Sequence, residues 1–222
     1  MDRHQCINTE KWNNLWKSMN GNEYPHEQLV KYVNITAHFP AMRALDIGFG
    51  SGVNMKFLYE KGFLVHGIEV SKSAIDKVTE KTRKWSMTFD LIAYESPFLP
   101  FSDCIFGFIC SVEAIYYNIE LESVIDEIYR ILVPGGKIYI TFRTPNHDVI
   151  KYHARFVGET LMEWNEDMPE KEMAGIRFRC FKNKKDLYPL FSKFSNVRVD
   201  TLWTDLLGRR FESLIVTGEK NT

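Results

Sequence analysis

Residues 44–52 read Ala44-Leu45-Asp46-Ile47-Gly48-Phe49-Gly50-Ser51-Gly52, an apolar strand that runs into three alternate glycines. Glycine has no Cβ, so it adopts positive φ and lets a ligand approach the backbone closely. A helix that begins at such a turn points its free amide groups at that ligand. The stretch therefore predicts a nucleotide-binding turn between the first strand and the following helix of an α/β sheet.

The glycine spacing differs from the Gly-x-Gly-x-x-Gly pattern of dinucleotide folds, because Val53 or Asn54 stands where the third glycine would be. Asp46 precedes the first glycine, where its carboxylate can attract an ammonium group rather than face a phosphate. The chain also has no Tyr-x-x-x-Lys pair. These features favour a ligand with a positive charge and weaken the alternative of an NAD-dependent oxidoreductase.

Four motifs between residues 43 and 142 resemble, in order, those of the class I S-adenosylmethionine (SAM)-dependent methyltransferases. The first is the glycine turn, and the second is the strand of residues 63–71, whose Glu69 stands where the family has an acid that accepts both ribose hydroxyls. The third, residues 95–101, resembles the family's segment that hydrogen-bonds to the adenine ring of SAM. The fourth, residues 127–137, is similar to the family's Glu-x-x-Arg-x-Leu-x-Pro-Gly-Gly turn before the fifth strand.

The resemblance implies a Rossmann-like, doubly wound, mostly parallel seven-stranded sheet with an antiparallel C-terminal hairpin. It implies SAM as the cofactor. The residues that it assigns to the cofactor are Asp46, Gly48, Phe49, Gly50, Gly52, Asn54, Glu69, Val70, Glu95, Ser96 and Cys110.

The length of 222 residues and a hydrophobic fraction of 45% suit one globular domain. We expect an N-terminal helical cover (1–40), a SAM-binding core (41–142), a lid insert after strand five (143–180), and a C-terminal helix with a hairpin (181–222). Strands are predicted at residues 43–47, 63–69, 89–93, 104–111, 136–142, 196–203 and 211–219, a helix at 184–194, and a helix start at Ser71 or Ser73.

Composition narrows the choice of partners. The formal net charge of −1 predicts no general attraction to nucleic acid or to an anionic membrane. The four cysteines are scattered, with two in a predicted buried strand, so we expect neither a disulfide framework nor a metal site. No signal-like or membrane-spanning stretch is found. These observations predict a cytoplasmic protein, monomeric or homodimeric, that acts on a small molecule.

Residues after the fourth and fifth strands are candidates for the acceptor pocket, because ligands of open α/β sheets bind beyond the carboxyl ends of the strands. The substrate candidates are Tyr116, Tyr117, Arg143 and Tyr24, and the catalytic candidates are His147, His153 and Tyr117. Each has an alternative structural role, and Glu113 is a further candidate base. Trp12, Trp16, Tyr24 and Pro25 could close over the cofactor or simply pack the N-terminal helix.

The sequence thus predicts a SAM-dependent methyltransferase acting on a small molecule, first at oxygen and next at nitrogen. Methyl transfer is an in-line displacement, so proximity and a dry pocket matter more than a catalytic group. Two alternatives stay open: a methyltransferase that modifies protein side chains, and a non-catalytic module that only binds SAM or another nucleotide.

Overall fold

The computed structural model describes residues 3–36, 42–95 and 97–222. The chain begins with two helices, α1 (Arg3–Ser18) and α2 (Glu27–Thr36). Strands and helices then alternate through β1 (Arg43–Ile47), α3 (Val53–Glu60), β2 (Leu64–Glu69), α4 (Lys72–Trp85), β3 (Asp90–Ala93), β4 (Phe106–Ser111), α5 (Leu121–Ile131) and β5 (Leu132–Arg143).

The chain continues with α6 (Asp148–His153) and three short strands, β6 (Ala154–Phe156), β7 (Leu161–Trp164) and β8 (Arg177–Arg179). Short 3₁₀ helices lie at Ile115–Tyr117, Lys171–Met173, Lys184–Asp186 and Tyr188–Phe191. The chain ends in a hairpin of β9 (Ser195–Leu206) and β10 (Arg209–Glu219).

The main sheet has seven strands in the order β3-β2-β1-β4-β5-β10-β9. Strands β1 to β5 pair in parallel, and β10 pairs antiparallel with both β5 and β9. The predicted doubly wound sheet with an antiparallel C-terminal pair is therefore confirmed. In this order the carboxyl ends of β1, β2, β4 and β5 meet at one edge, which is where a ligand crevice is expected.

Successive side chains along a strand point to opposite faces of the sheet, so each strand contributes to two cores, one on each face. In β5, Ile138, Ile140 and Phe142 pack with α5 and the segment after β5, whereas Tyr139 packs with α2 and α3 on the other face. Helix α5 buries the five residues that recur at helical spacing, Leu121, Val124, Ile125, Ile128 and Ile131.

Three predictions about local structure are corrected. Strand β4 begins at Phe106, so Cys104 lies outside it, exposed and with φ of 53°. The helix predicted at 184–194 is two 3₁₀ helices, and Pro189 supports the break because it lacks the amide hydrogen of an α-helical turn. Residues 143–180 are not a poorly packed loop, because they form a three-stranded sheet and contribute buried side chains to the core: Ile150, Met162, Trp164, Met168, Met173, Ile176, Phe178 and Cys180.

The start of α4 is resolved in favour of Ser71, whose side chain accepts a hydrogen bond from the Ala74 amide at 3.2 Å. Within the described parts of the chain, no helix has the length and apolar character needed to cross a membrane.

Candidate active site

The glycine turn connects β1 to α3 and forms one wall of the site. Gly48, Gly50 and Gly52 have φ of 72°, 51° and 76°, a conformation that residues with a Cβ rarely adopt. The indole of Trp16 packs on the turn, since a Cβ at Gly50 would lie 2.8 Å from Trp16 Cζ2. Helix α1 therefore covers the turn, and both of its tryptophans, Trp12 and Trp16, line the same cavity.

Glu69 ends β2 directly beside this turn. Its Oε2 accepts a hydrogen bond from the Gly50 amide at 3.1 Å, and its Oε1 accepts from the amides of Val70 and Ser71 at 2.8 and 3.0 Å. Burial raises the pKa of Glu69, and the three backbone hydrogen bonds oppose that rise. The carboxylate thus ties the glycine turn to the end of β2 and still lines the cavity.

Asp46 lies behind the turn, at the end of β1, with 1% of its surface exposed. Neither of its carboxylate oxygens has a hydrogen-bond partner among the described residues. Burial raises the pKa of Asp46 to about 7; the Glu69 carboxylate adds to the rise and the Cys110 thiol opposes it. A buried carboxyl without partners is costly when ionised, so a positively charged ligand nearby would stabilise its charged form.

A cavity of about 830 Å³ opens at the carboxyl edge of the sheet. Five parts of the chain line it: helix α1 with residues 19–26, the turn with the end of β2, the loop after β3, the loop after β4, and the segment after β5. Its volume lies in the upper part of the roughly 300–1,000 Å³ range of ligand pockets. The cavity has room for a nucleotide-sized cofactor together with an acceptor.

Most residues predicted for the site come together in this cavity. Those that line it are Gly48, Phe49, Gly50, Asn54, Glu69, Val70, Glu95, Tyr116, Tyr117, Arg143 and, at its exposed rim, Tyr24. Asp46, Gly52 and Cys110 are not among the lining residues, and Asp46 and Cys110 are buried beneath it. Ser96 lies outside the described residues. Glu95 lies in the loop after β3 and lines the cavity from there.

Glu113 and Arg143 form an ion pair on the floor of the cavity. Glu113 Oε1 accepts hydrogen bonds from the hydroxyls of Thr141 and Ser213 at 3.2 and 3.0 Å, and Oε2 accepts from Tyr116 at 3.2 Å. Burial alone would raise the pKa of Glu113, but Arg143 and these hydrogen bonds hold it below its ordinary value. Glu113 is therefore a carboxylate with its oxygens occupied, which disfavours a role as a base.

The two candidate histidines lie outside this cavity. His147 caps the start of α6 through Nδ1, which accepts from the Val149 amide at 3.3 Å, and burial lowers its pKa to about 4. The proton of neutral His147 then sits on Nε2, so neither nitrogen offers a free lone pair. It lines a second cavity of about 460 Å³ beyond Glu113 and Arg143. His153 lines neither cavity, and its Nδ1 lies 3.8 Å from Asp167 Oδ1.

Several lining residues carry no signal in the sequence. Trp164, Met168 and Met173 reach the cavity from the segment after β5, and their spacing fits no simple motif. His26 lines both cavities, where its Nδ1 lies 3.1 Å from the Tyr139 hydroxyl and its backbone amide donates to Asn54 Oδ1 at 2.9 Å. Only the folded chain brings His26 next to α3 and β5.

The residues present fit SAM. The glycine turn approaches the cavity without side chains, Glu69 presents a carboxylate suited to a vicinal diol, and the orphaned oxygens of Asp46 favour a positive group close by. Within the described residues, no cluster of three or more His, Cys, Asp or Glu side chains could hold a metal ion.

The sheet order and the turn define an α/β protein with a nucleotide site at the carboxyl edge of its sheet. Residues 45–140 match the family model described as a methyltransferase domain. Residues 45–140 are accordingly a methyltransferase domain, and the chain has the Rossmann-like fold of the class I SAM-dependent methyltransferases, whose cofactor is SAM.

Known proteins agree with this assignment. Over 119 residues the chain is 29% identical to the methyltransferase GfsG of Streptomyces halstedii, a match that covers 51% of this chain and only 41% of that protein. The fold is similar to a SAM-dependent methyltransferase of Methanosarcina mazei (TM-score 0.67, 20% identity, 86% of this chain and 97% of the other). It is also similar to the Burkholderia thailandensis 1,6-didemethyltoxoflavin-N1-methyltransferase, solved with its substrate and S-adenosylhomocysteine (TM-score 0.72, 13% identity, 98% and 88%).

Proposed function

We propose that this chain transfers a methyl group from SAM to a small-molecule acceptor, at oxygen or nitrogen. One observation carries the proposal: the glycine turn and Glu69 open into a single cavity that continues to the aromatic residues after β4. SAM supplies a methyl group on a positively charged sulfur. The small-molecule substrate of the Burkholderia relative supports the class of acceptor.

The protein promotes transfer by holding the acceptor close to the methyl group of SAM and by excluding water from the cavity. Glu69 and the turn hold the cofactor, while Tyr116, Tyr117 and Arg143 border the space for the acceptor. Tyr24 lies at the rim, where it could contact an entering acceptor. A base is needed only for an acceptor that must lose a proton. Of His147, His153 and Tyr117, only Tyr117 lines the cavity, and burial raises its pKa, so its hydroxyl is suited to orient an acceptor by a hydrogen bond rather than to remove a proton. The cytoplasmic location and the monomeric or homodimeric state stay predictions from composition.

Calorimetry with SAM, S-adenosylhomocysteine and NAD tests the proposal. We expect the first two to bind with dissociation constants in the micromolar range and NAD to give no heat. Gly50→Ala should abolish binding, because the new Cβ would collide with Trp16. Gly208→Ala is the matched control, since Gly208 also has positive φ, 74°, but a Cβ there meets open space. Binding of NAD without binding of SAM would overturn the proposal.

Transfer of labelled methyl groups from SAM into a cell extract separates the remaining alternatives. Label in the fraction of low molecular mass supports the proposal. Label in protein alone would indicate a protein methyltransferase, and SAM binding with no transfer at all would indicate a non-catalytic module.

A further inference from the structure

The part of the cavity beyond Gly48 has a composition that points to a class of acceptor. We name it the acceptor half and define it by nine lining residues: Trp12, Glu113, Tyr116, Tyr117, Arg143, Val149, Trp164, Met168 and Met173. Seven of the nine side chains are aromatic, aliphatic or thioether groups. Such walls bind apolar molecules, and aromatic rings add offset or edge-to-face contacts.

The aromatic wall is held in place from behind by Phe178 of β8. Trp164 stacks on Phe178 with ring centroids 4.6 Å apart, and Tyr117 and Tyr116 lie 5.8 and 6.1 Å from the same ring. Trp12 completes the wall from α1, edge-on to Tyr117 at 4.8 Å. A packed wall of this kind presents a preformed surface to a flat ligand and loses little entropy on binding.

The charges of the acceptor half cancel. Among the described residues that line the cavity, Arg143 is the only lysine or arginine, and it is paired with Glu113. His26 adds no charge near pH 7, because burial lowers its pKa. Both oxygens of Glu113 already accept hydrogen bonds from Tyr116, Thr141 and Ser213. Glu120 and Glu170 also line the cavity, but both are exposed to solvent. An ionic acceptor seated between the buried rings would lose its hydration and gain no buried, unpaired countercharge, which is unfavourable.

We propose, on the basis of the methyltransferase function proposed above, that the acceptor is an uncharged, largely apolar molecule with a flat ring. The ring lies between the Trp12–Tyr117 wall and the methionines Met168 and Met173. The paired Arg143 guanidinium can donate a hydrogen bond to one oxygen or nitrogen of the acceptor without neutralising a charge.

Three naphthalene probes of the same ring and different charge test this inference on the full chain saturated with S-adenosylhomocysteine. At pH 7.5, 2-naphthol is neutral, 2-naphthoate is an anion and 2-naphthylmethylamine is a cation. We expect 2-naphthol to bind at least about tenfold more tightly than either ion. Trp12→Ala should weaken 2-naphthol about tenfold, whereas Trp203→Ala, which removes a tryptophan 58% exposed on the distant hairpin, should leave it unchanged.

The S-adenosylhomocysteine titration that precedes the probes keeps the two proposals apart. Failure of that titration would overturn the proposed function. A normal titration followed by equal or tighter binding of either ion, or by no binding of 2-naphthol, would overturn the inference about the acceptor and leave the methyltransferase function standing.

Discussion

At the scale of single residues, two carboxylates at adjacent strand ends have opposite surroundings. Glu69 accepts three backbone hydrogen bonds and ties the glycine turn to β2, whereas Asp46 is buried with no partner for either oxygen among the described residues. Hydrogen bonds to the charged form stabilise a carboxylate, and burial without them destabilises it. We therefore expect a change at Glu69 to alter cofactor binding, and the charge of Asp46 to alter stability.

Glu69→Ala should weaken SAM binding by about ten- to hundredfold, since a hydrogen bond to a charged group contributes roughly 1.5–3 kcal/mol. The variant also frees the amides of Gly50, Val70 and Ser71, so denaturant unfolding must show that it still folds. Glu60→Ala, at an exposed ion pair on α3, is the control that should bind SAM normally. An unchanged dissociation constant in folded Glu69→Ala would exclude the ribose role.

Asp46 should make the stability of the cofactor-free protein depend on pH. Its folded pKa of about 7 lies above the ordinary value of 3.8, so the folded protein holds a proton that the unfolded chain releases between these pH values. The stabilising contribution is present below pH 4 and is lost as pH rises through 7. Relative to Asp46→Asn, the wild type should lose up to about 4 kcal/mol of unfolding free energy across this window.

Denaturant unfolding at several pH values between 4 and 8 measures this difference. Asp76→Asn is the control, because Asp76 is exposed on α4, and its profile should run parallel to that of the wild type. Parallel profiles for Asp46→Asn and the wild type would contradict the prediction.

At the scale of elements, the segment of residues 143–180 has both a structural and a ligand-facing part. Its three-stranded sheet packs Phe178 against Tyr116 and Tyr117 of the core, and the segment around Met168 and Met173 faces the cavity. Helix α1 contacts the same segment, since Lys11 Nζ donates a hydrogen bond to the Ala174 carbonyl. Helix α1 and this segment therefore close one side of the cavity together.

We propose that residues 143–180 and α1 form a lid that becomes more ordered when SAM binds. Hydrogen exchange of the free and SAM-bound protein should show added protection in both segments, because closure excludes water from the cavity. Strand β9, at the far edge of the sheet and outside the cavity lining, is the internal control with little change expected. Equal, strong protection of residues 143–180 in both states would instead identify a rigid structural segment.

At the scale of the whole molecule, the site exists because five distant parts of the chain meet at one edge of the sheet. Helix α1, the turn after β1, the loop after β3, the loop after β4 and the segment after β5 each contribute residues to the cavity wall. The hairpin contributes Ser213 to the hydrogen bonds of Glu113, about a hundred residues along the chain. The acceptor half thus combines residues that are far apart in the chain, and no local sequence pattern predicts that they lie close together.

The sequence by itself determined the sheet and the position of the glycine turn beside Glu69, because both depend on local patterns: glycines that allow positive φ, an acid at a strand end, and alternating apolar residues. Only the tertiary structure decided that His147 caps a helix instead of facing the acceptor, that Glu113 is paired with Arg143, and that Met168, Met173 and Trp164 line the acceptor half. These roles depend on long-range packing and desolvation, and such terms arise only when segments far apart in the chain are brought together.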